Sequence, residues 1–131
     1  MQNTFKKTLL ATAAASLIAG AAHADIKVGV ILGFTGPIES LTPAMADSAE
    51  LAFDEASNSG LLLGGDSIVS VRGDSTCVDA AAATAAAERL VNSDGVVAIM
   101  GADCSGVTGA IAKNVGAPNG VAMISPSATS P

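Results

Sequence analysis

Gly95-Val96-Val97-Ala98-Ile99-Met100-Gly101-Ala102-Asp103-Cys104-Ser105-Gly106-Val107-Thr108 is the stretch whose reading decides the fold. Its opening residues, Gly95 to Met100, form an apolar run that predicts a buried strand. Its end opens a helical pattern, because Val107, Ile111 and Val115 recur at i, i+4 and i+8 on one face. A small polar turn lies between. A strand–turn–helix junction leaves backbone N–H groups free at the helix N-terminus, and Ser105 adds a hydroxyl there, which together favour an anion. The turn therefore reads as a seat for the carboxylate of a small ligand. On the residues alone Ser105 could equally be a helix cap, and both roles use the same N–H groups.

Outward from this junction the same alternation repeats. Residues 26–32 are almost continuously apolar, as expected of a strand buried on both faces of a parallel sheet, and Gly33-Phe34-Thr35-Gly36-Pro37 is a tight turn. Thr42-Pro43 reads as an N-cap followed by a first-turn proline, with Met45, Ala49, Ala52 and Ala56 as the packing face of the helix. Leu61-Leu62-Leu63 reads as an apolar plug under the next connection. Residues 67–72 alternate as an edge strand does. The Arg72-Gly73-Asp74 tripeptide matches an adhesion motif, but three residues recur too easily by chance to count. Residues 79–91 are Ala-rich and helical, with Ala82, Ala86 and Leu90 as the packing face, stopped by Asn92-Ser93-Asp94-Gly95. After the central junction come a turn at 116–120, a fourth strand at 121–124 and a polar strand-end loop at 125–131. The order βαβαβαβ with short connections predicts an α/β fold, an open parallel sheet built of βαβ repeats with right-handed crossovers. Ending directly after a strand, the sequence is expected to be truncated after the fourth strand.

Residues 1–24 bear on compartment. Lys6 and Lys7 precede an uncharged run over 8–21, and Ala22-His23-Ala24 gives a small-x-small cleavage site: the order of a signal peptide, with an apolar run too short to span a bilayer. An uncleaved anchor is the alternative. Export is expected, leaving 25–131 as the folded part, a single domain or a portion of one. That part keeps four basic residues (Lys27, Arg72, Arg89, Lys113) against all twelve acidic ones, a formal charge of −8 that suits neither nucleic acid nor an anionic membrane. The one histidine, His23, leaves with the signal. Cys77 and Cys104, in an exported chain, are one disulfide or two separate buried thiols; a reactive thiolate would have no imidazole to activate it.

Ligands of open α/β sheets bind beyond the carboxyl ends of the strands. The four turns there, 34–37, 74–77, 103–108 and 125–129, are rich in Ser, Thr, Gly, Asp and Cys, which suits a small zwitterion or polar solute. The turns lack the glycine fingerprints of dinucleotide and nucleoside-triphosphate sites, and no GxSxG elbow or Ser-His-Asp set is available to a hydrolase. Two cysteines with carboxylates alone are a weak zinc set. These observations point to no metal, no cofactor and no enzyme.

Asp25-Ile26-Lys27-Val28-Gly29-Val30, Thr35-Gly36-Pro37, Cys77, Cys104-Ser105 and Ile124-Ser125-Pro126-Ser127-Ala128-Thr129-Ser130-Pro131 together resemble the leucine/isoleucine/valine-type periplasmic solute-binding proteins, the type I binding proteins of ABC importers. The resemblance spans essentially all of 25–131, and its closing Ser125-Pro126-Ser127-Ala128-Thr129-Ser130-Pro131 is its most specific part. It implies that 25–131 is the N-terminal of two Rossmann-like lobes that close on an amino acid. It further implies that Ser105 bonds the α-carboxylate by hydroxyl and N–H, that Thr129 adds a hydroxyl and N–H, and that the Ser127 carbonyl accepts from the ammonium. Cys104 and Ala128 complete the implied ligand-binding set, a Cys77–Cys104 disulfide matches the family's, and Leu41 lies near the place of a frequent aromatic cover. The implied partners are a branched-chain amino acid or related small polar solute and an inner-membrane ABC permease, with the carrier a monomer. A sensor or receptor domain of the same fold, responsive to amides or amino acids, is the alternative. A secreted Rossmann-like enzyme is the third reading, disfavoured by the missing histidine and nucleotide motifs.

Overall fold

A computed structural model describes residues 25–130, so the export signal read in 1–24 lies outside the described residues. The elements are β1 (Asp25–Leu32), α1 (Thr42–Asn58), β2 (Ser67–Asp74), α2 (Ala80–Arg89), β3 (Ala98–Gly101), α3 (Ser105–Ile111) and β4 (Ala122–Ile124). Helices α2 and α3 each continue into a wider π turn, Leu90–Asp94 and Ala112–Gly116, and a helical turn, Ala117–Asn119, leads into β4. All strand pairs are parallel and the sheet order is β2-β1-β3-β4. The chain moves to one side of β1 for β2 and to the other for β3. That reversal opens a crevice at the carboxyl ends of β1 and β3, where α/β sheets hold their ligands.

The apolar run of β1 explains the layering. Val30, Ile31 and Leu32 are fully buried and point alternately to the two faces. Val30 and Leu32 pack with Ala46 of α1, backed by Phe34, Met45, Phe53 and Met100. Ile31 packs on the other side with Ala83, Ala87 and Leu90 from the α2 segment and Val107, Ile111 and Val115 from the α3 segment. Leu90 lies so close over β2 that a Cβ on Gly73 would meet its Cδ1 at 3.0 Å. The predicted face Val107, Ile111, Val115 is the one the structure buries.

Several local expectations are corrected. Thr42 is the first helical residue and Leu41 occupies the cap position. The Thr42 side chain is buried and its hydroxyl donates to Gly33 O at 3.1 Å, tying the helix start to the end of β1. The packing face of α1 is carried by Ala46, Phe53 and, as expected, Met45, while Ala52 is exposed. Leu61 and Leu63 are 88% and 74% exposed, so they plug nothing. Of the face predicted for α2, Leu90 is fully buried and Ala86 packs against the core, but the buried alanines are Ala83 and Ala87, one position on, because a run of alanines carries little hydrophobic contrast to fix the phase. Strand β3 starts later than its apolar run, since Gly95 ends the preceding helix in the left-handed region at φ 74°. The Arg72-Gly73-Asp74 tripeptide is part of edge strand β2: Arg72 pairs with Asp47 and Glu50, and Gly73 is buried.

Candidate functional site

The turn after β1 is held by carboxylates from other strands. Gly33 N–H donates to Asp103 Oδ2 at 3.0 Å. Thr35 donates to Asp74 twice, from its hydroxyl at 2.6 Å and its N–H at 3.3 Å, and Thr76 N–H reaches the same carboxylate at 2.8 Å. Partial burial opposes ionisation of Asp74, but the Thr35 hydroxyl and the N–H groups of Thr76, Thr35 and Phe34 outweigh it and hold the carboxyl below the usual range. Gly36, at φ 98°, passes so near the β2 turn that a Cβ would lie 2.6 Å from Thr76 O. Only glycine fits there.

Beyond β2 and β3 the contacts converge on one residue. Asp103 is 4% exposed; its Oδ1 accepts from Cys104 N–H at 3.1 Å and from the Ser75 hydroxyl at 3.3 Å. Cys77 and Cys104 are joined by a disulfide with their Cα atoms 5.2 Å apart, fastening the β2 turn to the start of α3. Cys104 takes the N-cap position in extended conformation. The first backbone bond of α3 runs from Thr108 N–H to Cys104 O at 2.9 Å. The N–H groups of Ser105, Gly106 and Val107 therefore lie ahead of it, at the open end of the helix.

The β4 turn closes over this end. The Ser127 hydroxyl donates to Asp103 O at 2.7 Å, and Ala128 N–H donates to the Ser125 hydroxyl at 2.8 Å. Thr129 and Ser130 N–H groups donate to Ser105 Oγ at 3.1 and 3.2 Å. With two N–H groups on its oxygen, the Ser105 hydroxyl has its own proton left to give. Thus Cys104, Ser105, Ser127, Ala128 and Thr129 are gathered at the ends of β3 and β4. Ser127 and Thr129 are exposed, whereas Ala128 is half-buried with its N–H spent on Ser125. Leu41, adjacent to the Thr42 that bonds Gly33, is 61% exposed.

Sequence reasoning did not assign roles to Asp103, Ser75, Asp74 and Thr35, which tie the four turns together. Small polar residues at and just beyond the strand ends were their only trace. The described contacts offer hydroxyls, N–H groups and carbonyls, a set that binds a small polar molecule by hydrogen bonds. Among the described residues no group of three His, Cys, Asp or Glu could hold a metal ion. Two hollows, of about 300 and 330 Å³, lie away from the rim, beside Glu50 and Phe53 and along β3 and β4, and with Ser127, Thr129 and Ser130 exposed the rim is an open shelf.

Residues 25–131 match the model of the periplasmic binding protein family. The chain is 36% identical over 126 residues to the Leu/Ile/Val-binding protein BraC3 of Rhizobium johnstonii, covering 95% of this chain and 33% of that protein. Its fold is similar to that of the branched-chain amino acid transporter substrate-binding protein LivJ from Streptococcus pneumoniae in complex with isoleucine, with a TM-score of 0.73, 33% identity and coverage of 82% of this chain and 30% of that one. It is also similar to a solute-binding protein of an ABC transporter from R. palustris in complex with benzoate, with a TM-score of 0.67, 30% identity and coverage of 80% and 28%. The chain spans about a third of the length of the curated relatives it matches.

Proposed function

We propose that this chain, which belongs to the periplasmic binding protein family, is the N-terminal ligand-binding lobe of the substrate-binding component of an ABC importer. Its ligand is a branched-chain amino acid or a related small polar solute. The observation that carries this reading is the convergence of Ser105, Ser127 and Thr129 on one rim, beside the β1/β3 switch point. In this reading the Ser105 hydroxyl and N–H bond the α-carboxylate, Thr129 adds its hydroxyl while its N–H is held by Ser105 Oγ, and the Ser127 carbonyl accepts from the ammonium. Cys104 and Ala128 hold the flanking backbone.

The shelf covers one side of a ligand. A second lobe closing over it by a hinge would bury the remainder, and the closed form would be what the inner-membrane permease recognises. Residues 1–24 would direct export to the periplasm and be removed there. No bond is made or broken in such a cycle; the family is one of substrate-binding proteins, and the rim supplies recognition alone.

The test is a thermal-shift titration of the protein as its cell exports it, with L-leucine, L-isoleucine, L-valine, benzoate and small amides. An external dye reports unfolding, because the sequence has no Trp or Tyr. A ligand at a hundred times its dissociation constant stabilises the native state by about 2.7 kcal/mol. A shift with the aliphatic amino acids supports the reading. A shift with benzoate alone overturns the amino-acid assignment, and a flat response to the whole panel overturns the carrier.

A further inference from the structure

We infer that Asp103 is the positioning residue of this rim, fixing the backbone at Cys104 and Ser105 so that the Ser105 hydroxyl and the N–H groups behind it converge on a ligand carboxylate. The inference rests on the carboxylate-binding reading given above. Asp103 reaches all the other strand ends at once. Its Oδ2 accepts Gly33 N–H at the end of β1, its Oδ1 accepts the Ser75 hydroxyl at the end of β2, and its own carbonyl accepts the Ser127 hydroxyl beyond β4. Its Oδ1 also takes Cys104 N–H, at 3.1 Å. The residue before Ser105 is thereby pinned at its nitrogen by Asp103 and at its sulfur by Cys77.

The chemistry of the site specifies aspartate. Two backbone N–H groups face the carboxylate, and a backbone N–H can only donate, so both oxygens must accept. An asparagine would present its NH₂ to either Gly33 N–H or Cys104 N–H. A glutamate carries an extra methylene into a position only 4% exposed. Ser75 is also buried, so the bonds from Gly33 and Ser75 are shielded from competing water.

The experiment compares L-leucine with L-leucinamide, which keeps the ammonium and side chain and lacks the carboxylate. Affinities are measured by titration calorimetry on the exported protein and on Asp103→Asn and Ser75→Ala. If Asp103 acts through the carboxylate seat, Asp103→Asn lowers the preference for leucine over leucinamide about tenfold, the order of one lost bond to a charged group. Ser75→Ala, which removes one of three donors and leaves both N–H ties, lowers it less, about threefold. An equal loss for both ligands, no loss, or a raised preference for leucine overturns the inference.

Backbone hydrogen exchange gives a readout that needs no ligand. In Asp103→Asn, exchange at Gly33 and Cys104 rises at least about tenfold relative to Ile99 in the core of β3. Unchanged exchange at those two amides overturns the positioning role. Should the unaltered protein bind neither compound, the carrier reading fails and the exchange ratio alone decides the role of Asp103. Should Asp103→Asn not fold, the Ser75→Ala ratio decides it.

Discussion

Removing the disulfide should cost this chain about 2.5 kcal/mol, less than its loop length alone dictates. The bond closes a sequence separation of 27 residues, for which confinement of the unfolded chain contributes about 3.5 kcal/mol at 25 °C in the chain-entropy account. Against this stands local strain. Thr76 and Cys77 occupy the left-handed region at φ 56° and 68°, although neither is glycine. Such a residue costs about 1 kcal/mol or more, and Thr76 stays held by its bond to Asp74 when the disulfide is gone. Only Cys77 can relax, so roughly 1 kcal/mol is returned. The assay is equilibrium urea unfolding followed by far-UV circular dichroism, comparing the oxidised protein with Cys77→Ala/Cys104→Ala. A midpoint lower by about 1–2 M is expected. Cys77→Gly/Cys104→Ala should gain nothing over the alanine pair, since relaxation has already released the strain of φ 68° there and glycine adds unfolded-chain entropy. Equal midpoints for the oxidised protein and the alanine pair would refute the confinement argument. A glycine pair more stable than the alanine pair by about 1 kcal/mol would show that position 77 keeps its strain without the disulfide, and would refute the relaxation argument.

Two further outcomes follow from the same rim. Ser105→Ala should weaken binding of L-leucine by about 1–3 kcal/mol in titration calorimetry, the range for hydrogen bonds to a charged group, and unchanged affinity would remove Ser105 from the carboxylate seat. Acid should loosen the joint between the β1 and β2 turns. The folded-state pKa of Asp74 is depressed, so its contribution is present above the unfolded value of about 3.9 and is lost as pH falls through the folded value. Asp74→Asn should therefore show a shallower loss of stability than the parent as pH falls below about 4, measured by urea midpoints across pH, and parallel profiles would contradict this.

Much of the fold was legible because the decisive segments carry strong hydrophobic contrast. Residues 26–32 could only be a strand covered on both sides, and Val107, Ile111 and Val115 could only share a helix face. Where contrast vanished, the phase was fixed only at its end: in 80–87 seven of eight residues are alanine and the buried pair is Ala83 and Ala87, while the one large apolar residue of the predicted face, Leu90, is buried as expected. Thr42 was misread for a different reason. Its hydroxyl has the chemistry of an N-cap, but a carbonyl nine residues earlier claims it. The exposed Leu61 and Leu63 show that an apolar residue in a connection need not be buried. At the rim, the polar turn residues were readable one turn at a time. Their ties were not, since Asp103 meets partners 70 and 28 residues away in sequence.

Those long-range ties matter for recognition because they fix polarity as well as position. A serine hydroxyl on a flexible turn can donate or accept, and so discriminates poorly between a carboxylate and an ammonium. Here both lone pairs of Ser105 Oγ are taken by Thr129 and Ser130 N–H groups, at 3.1 and 3.2 Å. The hydroxyl can then act on a ligand only as a donor, alongside the N–H groups at the start of α3. In the proposed binding mode that end of the rim accepts an anion and turns an ammonium away toward carbonyls such as that of Ser127. Because Asp103, Asp74 and the disulfide already hold the turns together, little ordering is left for the ligand to impose, and the polarity of the shelf is in place before a ligand arrives.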